Sequence, residues 1–423
     1  MSVTTQLRAR AGLPPVVSAR VDALREALGR PLSTYYLLLG SSGMLLGIGL
    51  LMVLSASSVY SFENYHNSYY IFLKQLTWVV LAVPFAFAAT RLPDRWLRLV
   101  AWPAVLLSVV LLALTQTSLG HAVNGNRNWL ALGPLSLQPS EIAKLAIILW
   151  SADVYARKEK LLHSWVHTIV PVVPVVGMIS GLVVLEHDLG TALVLFAIML
   201  GMLWIVGAPA RLFVLSFSFV GVLAFFLATT NRERRLRLTS FLNPFQDFQG
   251  AGWQAGHGLL GMASGGLLGK GLGASQQKWG NLPEAHTDFI FAVLGEELGL
   301  VGTLLVLALF ACLAYASVRL AIQTTEPFVR YVTAGVTIWL MAQMMINVGM
   351  VLALLPVIGI PLPLVSYGGS ALLPSLVAIG LLVGFARRQP EAAAALRDKK
   401  RARRHGRGVS GLNAGPGSGS GPR

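Results

Sequence analysis

Runs of about twenty apolar residues, separated by polar turns, recur along this chain from Tyr35 to Phe385. Each run is continuous rather than alternating with period two. That selects membrane-spanning helices over barrel strands, the only other backbone lipid tolerates. The pattern predicts spans near Tyr35–Ser57, Tyr69–Ala89, Trp96–Thr115, Glu141–Ala156, Trp165–Leu185, Gly190–Val206, Leu212–Thr229, Phe289–Leu320, Tyr331–Leu355 and Ala371–Phe385. The expected fold is an all-α polytopic membrane protein of about ten transmembrane helices. A long extracytoplasmic loop joins the seventh to the eighth. Several runs are short or long for a bilayer, which tilt and protrusion absorb.

Charge orients this array. Short loops rich in Lys and Arg stay on the cytoplasmic side. Arg91, Arg95 and Arg98 follow the second span, Arg157, Lys158 and Lys160 the fourth, and Arg211 the sixth. With the basic residues of both termini they place alternate loops, and both chain ends, in the cytoplasm. The chain thus divides into a basic leader (1–34), a membrane domain (35–388, with 230–288 as the long outer loop) and a basic, disordered tail (389–423). The formal net charge of +15 would suggest nucleic acid in a soluble protein. Here it reads as a topogenic surface facing membrane lipids, with no nucleic acid partner. Cys312 is the only cysteine, so no intramolecular disulfide or cysteine metal site can form.

Candidate chemistry concentrates on the outer side. The stretch Gly280–Gly299 runs from Glu284, His286 and Asp288 straight into an apolar helix carrying Glu296 and Glu297. Ionisable groups at membrane depth are costly and mark function by default. Asp288 also immediately precedes the apolar run, where a carboxylate suits a helix N-cap. Three further stretches face the same way. One holds Trp129 and, after a short gap, Ser140, Glu141 and Lys144, with Ser140 a candidate cap and Glu141–Lys144 a candidate i,i+3 ion pair. The second is the tight turn Glu186–Gly190, where Asp188 is a candidate cap, and the third is Leu362–Ser370, whose prolines and glycines preclude regular helix. The outer loop adds Arg232, Arg234, Arg235, Arg237, Lys270 and Lys278, an unusual basic cluster for that side. The glycine-rich segment 265–273 lacks the Ser/Thr after Lys270 that a phosphate loop requires, so no nucleotide site is expected. These residues describe an outward polar cavity for an anionic amphiphile. They leave catalysis and transport equally open.

Several strings resemble the SEDS family (shape, elongation, division and sporulation). They are Asn128–Trp129 with Gln138-Pro-Ser-Glu141, Asp188-Leu-Gly-Thr191, Arg234 and Arg237 before Ser240–Pro244, and Gly269–Gly273. The most specific are Leu282–Phe291 with Gly295–Gly299, and Leu362–Ser370. Leu51–Ser57 and the intact Glu-Ala-His-Thr-Asp run place the chain nearer the division branch than the elongation branch. His187 stands where the family usually has proline, Asn243 replaces an acid, and Glu233 and Trp253 replace tyrosines.

The resemblance implies an inverting peptidoglycan glycosyltransferase. It would polymerise lipid II at the outer face of the bacterial cytoplasmic membrane, at the division septum. A class B penicillin-binding transpeptidase and other divisome membrane proteins would be its partners. Asp288 matches the family's essential acid and is expected to be the general base. Arg234, Arg237, Lys270, Lys278, Trp129, Glu284, His286 and Ser366 are expected to bind substrate. Glu296, Glu297, Asp188, Glu141 and Lys144 are expected to support the fold. A divalent cation, magnesium or manganese, held by Asp288 and Glu284 would fit the diphosphate chemistry. The rival readings are a lipid II flippase, a noncatalytic division scaffold and the elongation-type relative.

Overall fold

The computed structural model describes residues 22, 26, 29–123, 126–132, 135–230, 243–250 and 252–398. Its long helices are α1 (Ser33–Tyr65), α2 (Tyr70–Arg91), α3 (Asp94–Thr115) and α4 (Pro139–Arg157). A short α5 (Trp165–Ile169) leads to α6 (Val172–Leu185), α7 (Leu189–Val206) and α8 (Ala210–Thr230). After α9 (Trp253–Ser264) come α10 (Ile290–Gln323), α11 (Pro327–Val351) and α12 (Leu372–Arg388). Eight helices among the described residues are long and apolar enough to cross a membrane, counting α5 and α6 as one. The expectation of a helical polytopic membrane protein holds. Two of the predicted spans, α4 and α8, fall outside those eight. Helix α4 carries Glu141, Lys144, Asp153 and Arg157, which lower its hydropathy. Side chains of α8 lie partly outside the described residues.

Two of the connecting loops hold more structure than periodicity predicts. Residues between α3 and α4 form an antiparallel sheet of β1 (Gly120–Val123), β2 (Asn126–Leu132) and β3 (Leu135–Leu137), in that order. The segment after α8 contains α9, which packs on α10.

Helix direction alternates, so one end of the bundle collects the α1–α2 turn, the sheet, the Glu186–Asp188 turn, α9 and residues 352–371. Basic residues Arg91, Arg157 and Arg211 mark the opposite end. Close backbone approach holds the bundle where small residues face each other. A Cβ at Gly380 would lie 2.3 Å from the Ala86 carbonyl oxygen, and one at Gly384 only 2.8 Å from that of Thr90. This small-xxx-small spacing lets α12 sit directly on α2, replacing the hydrophobic effect that lipid cannot supply.

Helix α10 is broken. Gly299 adopts φ 65°, ψ −163°, which only glycine tolerates. The residues around the break are paired by the glycine-rich segment. Lys270 N and Gly271 N donate to the Glu296 and Glu297 carbonyls, and Leu300 N and Val301 N donate to Gly266 O and Leu267 O. A broken helix at membrane depth needs such replacement partners. Segment 265–273 therefore serves as a backbone splint for α10.

Candidate active site at the mouth of α10

Asp288 ends a non-helical segment that leads into α10. The N-cap of that helix is Phe289, with no side-chain capping bond, so the expected capping role of Asp288 is absent. Among the described residues no side chain donates to the Asp288 carboxylate. Its backbone is fixed instead. Buried Asn347 on α11 donates to the Asp288 carbonyl (2.8 Å) and to the Ile360 carbonyl (2.6 Å). Those bonds tie the 288 segment to the irregular chain after α11. There Gly359 faces the carboxylate, and a Cβ on it would lie 3.4 Å from Asp288 Oδ2.

Burial pushes the Asp288 carboxyl up to about 7, and the nearby Glu284 and Asp188 push in the same direction. Removing a carboxylate from water disfavours its charged form, and like charges add to the cost. Glu284 sits at φ 56° and accepts a 2.6 Å bond from the Thr287 hydroxyl. Backbone held in that region is often found at functional sites.

Asp188 caps α7, as the sequence suggested, by accepting from Thr191 N at 2.9 Å. Its other oxygen accepts from Asn128 Nδ2 (2.9 Å), Gln138 Nε2 (3.0 Å) and the Thr191 hydroxyl (2.9 Å). Sheet, α4 and α7 thus meet on one carboxylate. Neighbouring Glu186 is fully buried, and burial pushes its carboxyl up to about 7. Its Oε1 accepts from the Thr115 hydroxyl, a bond that opposes the rise without cancelling it. His187 between them adopts φ 65°, a value a proline ring forbids, so this turn differs from what a proline there would impose.

Several sequence expectations change. Lys270 and Lys278 do not stand free for a diphosphate. Lys270 Nζ is 2.8 Å from Glu296 Oε1, and buried Lys278 Nζ is 3.3 Å from Glu297 Oε1. The cations that meet the two acids of α10 come from the segment before it. Glu296 also takes Ser264, Ser275 and the backbone of Gln276 and Gln277, while Glu297 takes the Ser55 hydroxyl and Ser275 N. Ser366 is buried and its Oγ accepts from Leu362 N at 2.8 Å, so it shapes the 362–370 turn from inside. Trp129 lies on β2 opposite His121. Alternation along the strand turns it away from the face on which Asn128 reaches Asp188.

Ser140 does not cap α4. The cap is Gln138, and the Ser140 hydroxyl is buried without a partner among the described residues. Glu141 and Lys144 pair at 2.6 Å as expected, both buried. His286 is buried between the rings of Tyr60 and Tyr367, and burial lowers its pKa against the pull of Glu284. Arg234 and Arg237 lie outside the described residues. Asn347 was missed as a site residue, although an asparagine inside an apolar helix was a legible signal.

No three His, Cys, Asp or Glu side chains converge as a metal site among the described residues. Asp288 and Glu284 supply oxygen donors of the kind magnesium takes together with substrate phosphates.

The family sequence model described as "Cell cycle protein" (FtsW/RodA/SpoVE) matches residues 36–391. The chain belongs to that family. It is 40% identical over 371 residues to the probable peptidoglycan glycosyltransferase FtsW of Mycobacterium tuberculosis, covering 88% of this chain and 71% of that one. It is 36% identical to the stage V sporulation protein E of Bacillus subtilis, covering 81% and 94%. Among solved structures, a chain of a peptidoglycan synthase complex that coordinates polymerization and crosslinking superposes with TM-score 0.66 at 26% identity, covering 84% and 97%. The rod shape determining protein RodA of Thermus thermophilus superposes with TM-score 0.61 at 27% identity, covering 84% and 97%.

Proposed function

We propose that this chain is a peptidoglycan glycosyltransferase that polymerises lipid II on the outer face of the cytoplasmic membrane during septal wall synthesis. The observation that carries the reading is the Asp288 carboxylate, with no donor among the described side chains and raised to about 7. A general base works best when its pKa lies near the operating pH. Curated relatives at 35–40% identity that bear the same activity in their names support the reaction class. Their closer identity, against 27% for the RodA chain, supports the division branch over the elongation branch.

In this reading Asp288 accepts the proton of the acceptor sugar's 4-hydroxyl as that oxygen bonds to the donor's anomeric carbon. The bond from that carbon to undecaprenyl diphosphate breaks on the opposite face, and the anomeric centre inverts. Asn347 keeps the Asp288 backbone in place. Cations must offset the charge developing on the leaving diphosphate. Lys270 and Lys278 are engaged with Glu296 and Glu297, so Arg234 and Arg237 of the outer loop are the candidates. A divalent cation held by Asp288, Glu284 and substrate oxygens would supply further charge for the same leaving group. A class B penicillin-binding transpeptidase is the expected partner, with other divisome membrane proteins around it, and both termini are assigned to the cytoplasm.

The test is strand synthesis from lipid II by purified protein with its transpeptidase, resolved on a gel. Asp288→Asn is expected to fold, bind its partner and make no strands. Full polymerisation by that variant would remove Asp288 as base. ATP-independent translocation of lipid II in proteoliposomes that survives the same substitution would favour a flippase.

A further inference from the structure

Five aromatic rings from four elements converge beside Asp288. Tyr65, at the end of α1, stacks on Tyr70, at the start of α2, with centroids 4.1 Å apart and planes 24° from parallel. Tyr60, one turn earlier on α1, lies 5.2 Å from the ring of His286. Tyr367 closes the other side of His286 at 5.8 Å, and its backbone N–H donates to the His286 carbonyl at 3.0 Å. Tyr65 and Tyr70 are both within electrostatic reach of Tyr367. Tyr60, Tyr65 and Tyr70 remain 46%, 48% and 40% exposed.

Tyrosines at helix ends commonly form an interfacial belt, each ring lying among lipid headgroups. Two features here exceed a belt. Tyr65 and Tyr70 stack on one another, and Tyr60 and Tyr367 flank a buried histidine on the loop that carries Asp288, two residues away. A belt has no need of that loop. The chemistry also selects a ligand class. Flat amphipathic faces with phenol groups at their edges suit the C–H faces and hydroxyls of pyranose rings. Glu284 lies within electrostatic reach of Tyr60, so these rings border the loop that carries Asp288.

We infer that Tyr65, Tyr70, Tyr60, Tyr367 and His286 form a saccharide platform that holds sugar rings of the growing glycan strand next to the Asp288 site. This rests on the glycosyltransferase reading. The platform acts on retention of the polymer between turnovers, while Asp288 acts on each bond.

The experiment uses the full chain with its transpeptidase partner and a Tyr65→Ala/Tyr70→Ala double variant at matched protein concentration. The expected result is an unchanged initial rate from lipid II with mean strand length roughly three- to tenfold shorter, the scale of losing two aromatic contacts. Tyr65→Trp/Tyr70→Trp is expected to restore the length. A second measurement reads binding directly, as quenching of intrinsic fluorescence by a soluble, uncrosslinked glycan oligomer. Wild type and Asp288→Asn are expected to bind it, and the double alanine variant to lose binding. Unchanged strand length and unchanged quenching, with only the amount of protein in the membrane reduced, would leave a belt and overturn the platform. If wild type makes no strands yet binds the oligomer through these tyrosines, the platform stands and the polymerase reading fails.

Discussion

Two pairs of acids sit eight to thirteen residues apart on one stretch of chain and live in opposite circumstances. Glu296 and Glu297 are buried in the broken helix α10, and each is met by a lysine, serine hydroxyls and backbone N–H groups. Asp288 and Glu284, at the mouth of the same helix, share their neighbourhood with Asp188, and no described side chain donates to Asp288. A saturated carboxylate is a structural part, because every lone pair that could take a proton is occupied. An open one beside like charges is poised to exchange a proton. The same residue types, eight to thirteen residues apart, thus divide into scaffold and chemistry.

Exchanging the two circumstances breaks the comparison most sharply. Asp288→Asn is expected to lower strand synthesis by roughly 10²- to 10⁴-fold with little change in thermal unfolding. Because the folded protein raises this carboxyl to about 7, the protonated form dominates below that pH and the base is lost. Initial rates should therefore fall about tenfold per pH unit on the acid side. Glu186 titrates in the same range, so Glu186→Gln identifies the group: the acid limb should stay where it is, because the amide oxygen can still accept from Thr115 and Asp288 remains the base. Movement of the limb in that variant would assign it to Glu186.

On the scaffold side the expected effects are on stability. Lys278→Met leaves Glu297 buried with its cation gone, at a cost of about 3–5 kcal/mol. Thermal unfolding in detergent measures this, and adding Glu297→Gln should recover much of it. Asn347→Ala removes the donors to two buried carbonyls and should cost about 2 kcal/mol, with a loss of rate larger than the loss of stability implies, since the Asp288 backbone is released. The smallest effect belongs to the exposed pair Arg330–Glu159 at the opposite end, 2.7 Å apart. Arg330→Ala is expected to change stability by no more than about 1 kcal/mol and strand synthesis not at all.

Much of this was legible in the sequence. Apolar runs of bilayer length located most membrane helices to within four residues, though α1 runs eight residues past its predicted end, and the motif around Leu282–Phe291 singled out Asp288. The cap at Asp188 and the Glu141–Lys144 pair were also readable, since both are contacts within one turn. What could not be read has a common cause. The sheet carrying Asn128 is short, and its strands pair through an irregular register that leaves little periodic trace. Lys270 and Lys278 resemble free cations because their partners lie nineteen to twenty-six residues away, beyond any helical spacing. The glycine-rich segment resembles a failed nucleotide loop because its role depends on a helix break that occurs only when the two meet.

By itself, then, the sequence determined that this is a helical membrane protein with its polar motifs on one side and a carboxylate at a helix mouth. Those properties follow from hydropathy and local spacing, which are one-dimensional. The tertiary structure alone decided which charges are neutralised. A carboxylate's protonation depends on burial and on the groups around it in space, and folding chose Lys270 for Glu296, Lys278 for Glu297 and no described side-chain donor for Asp288.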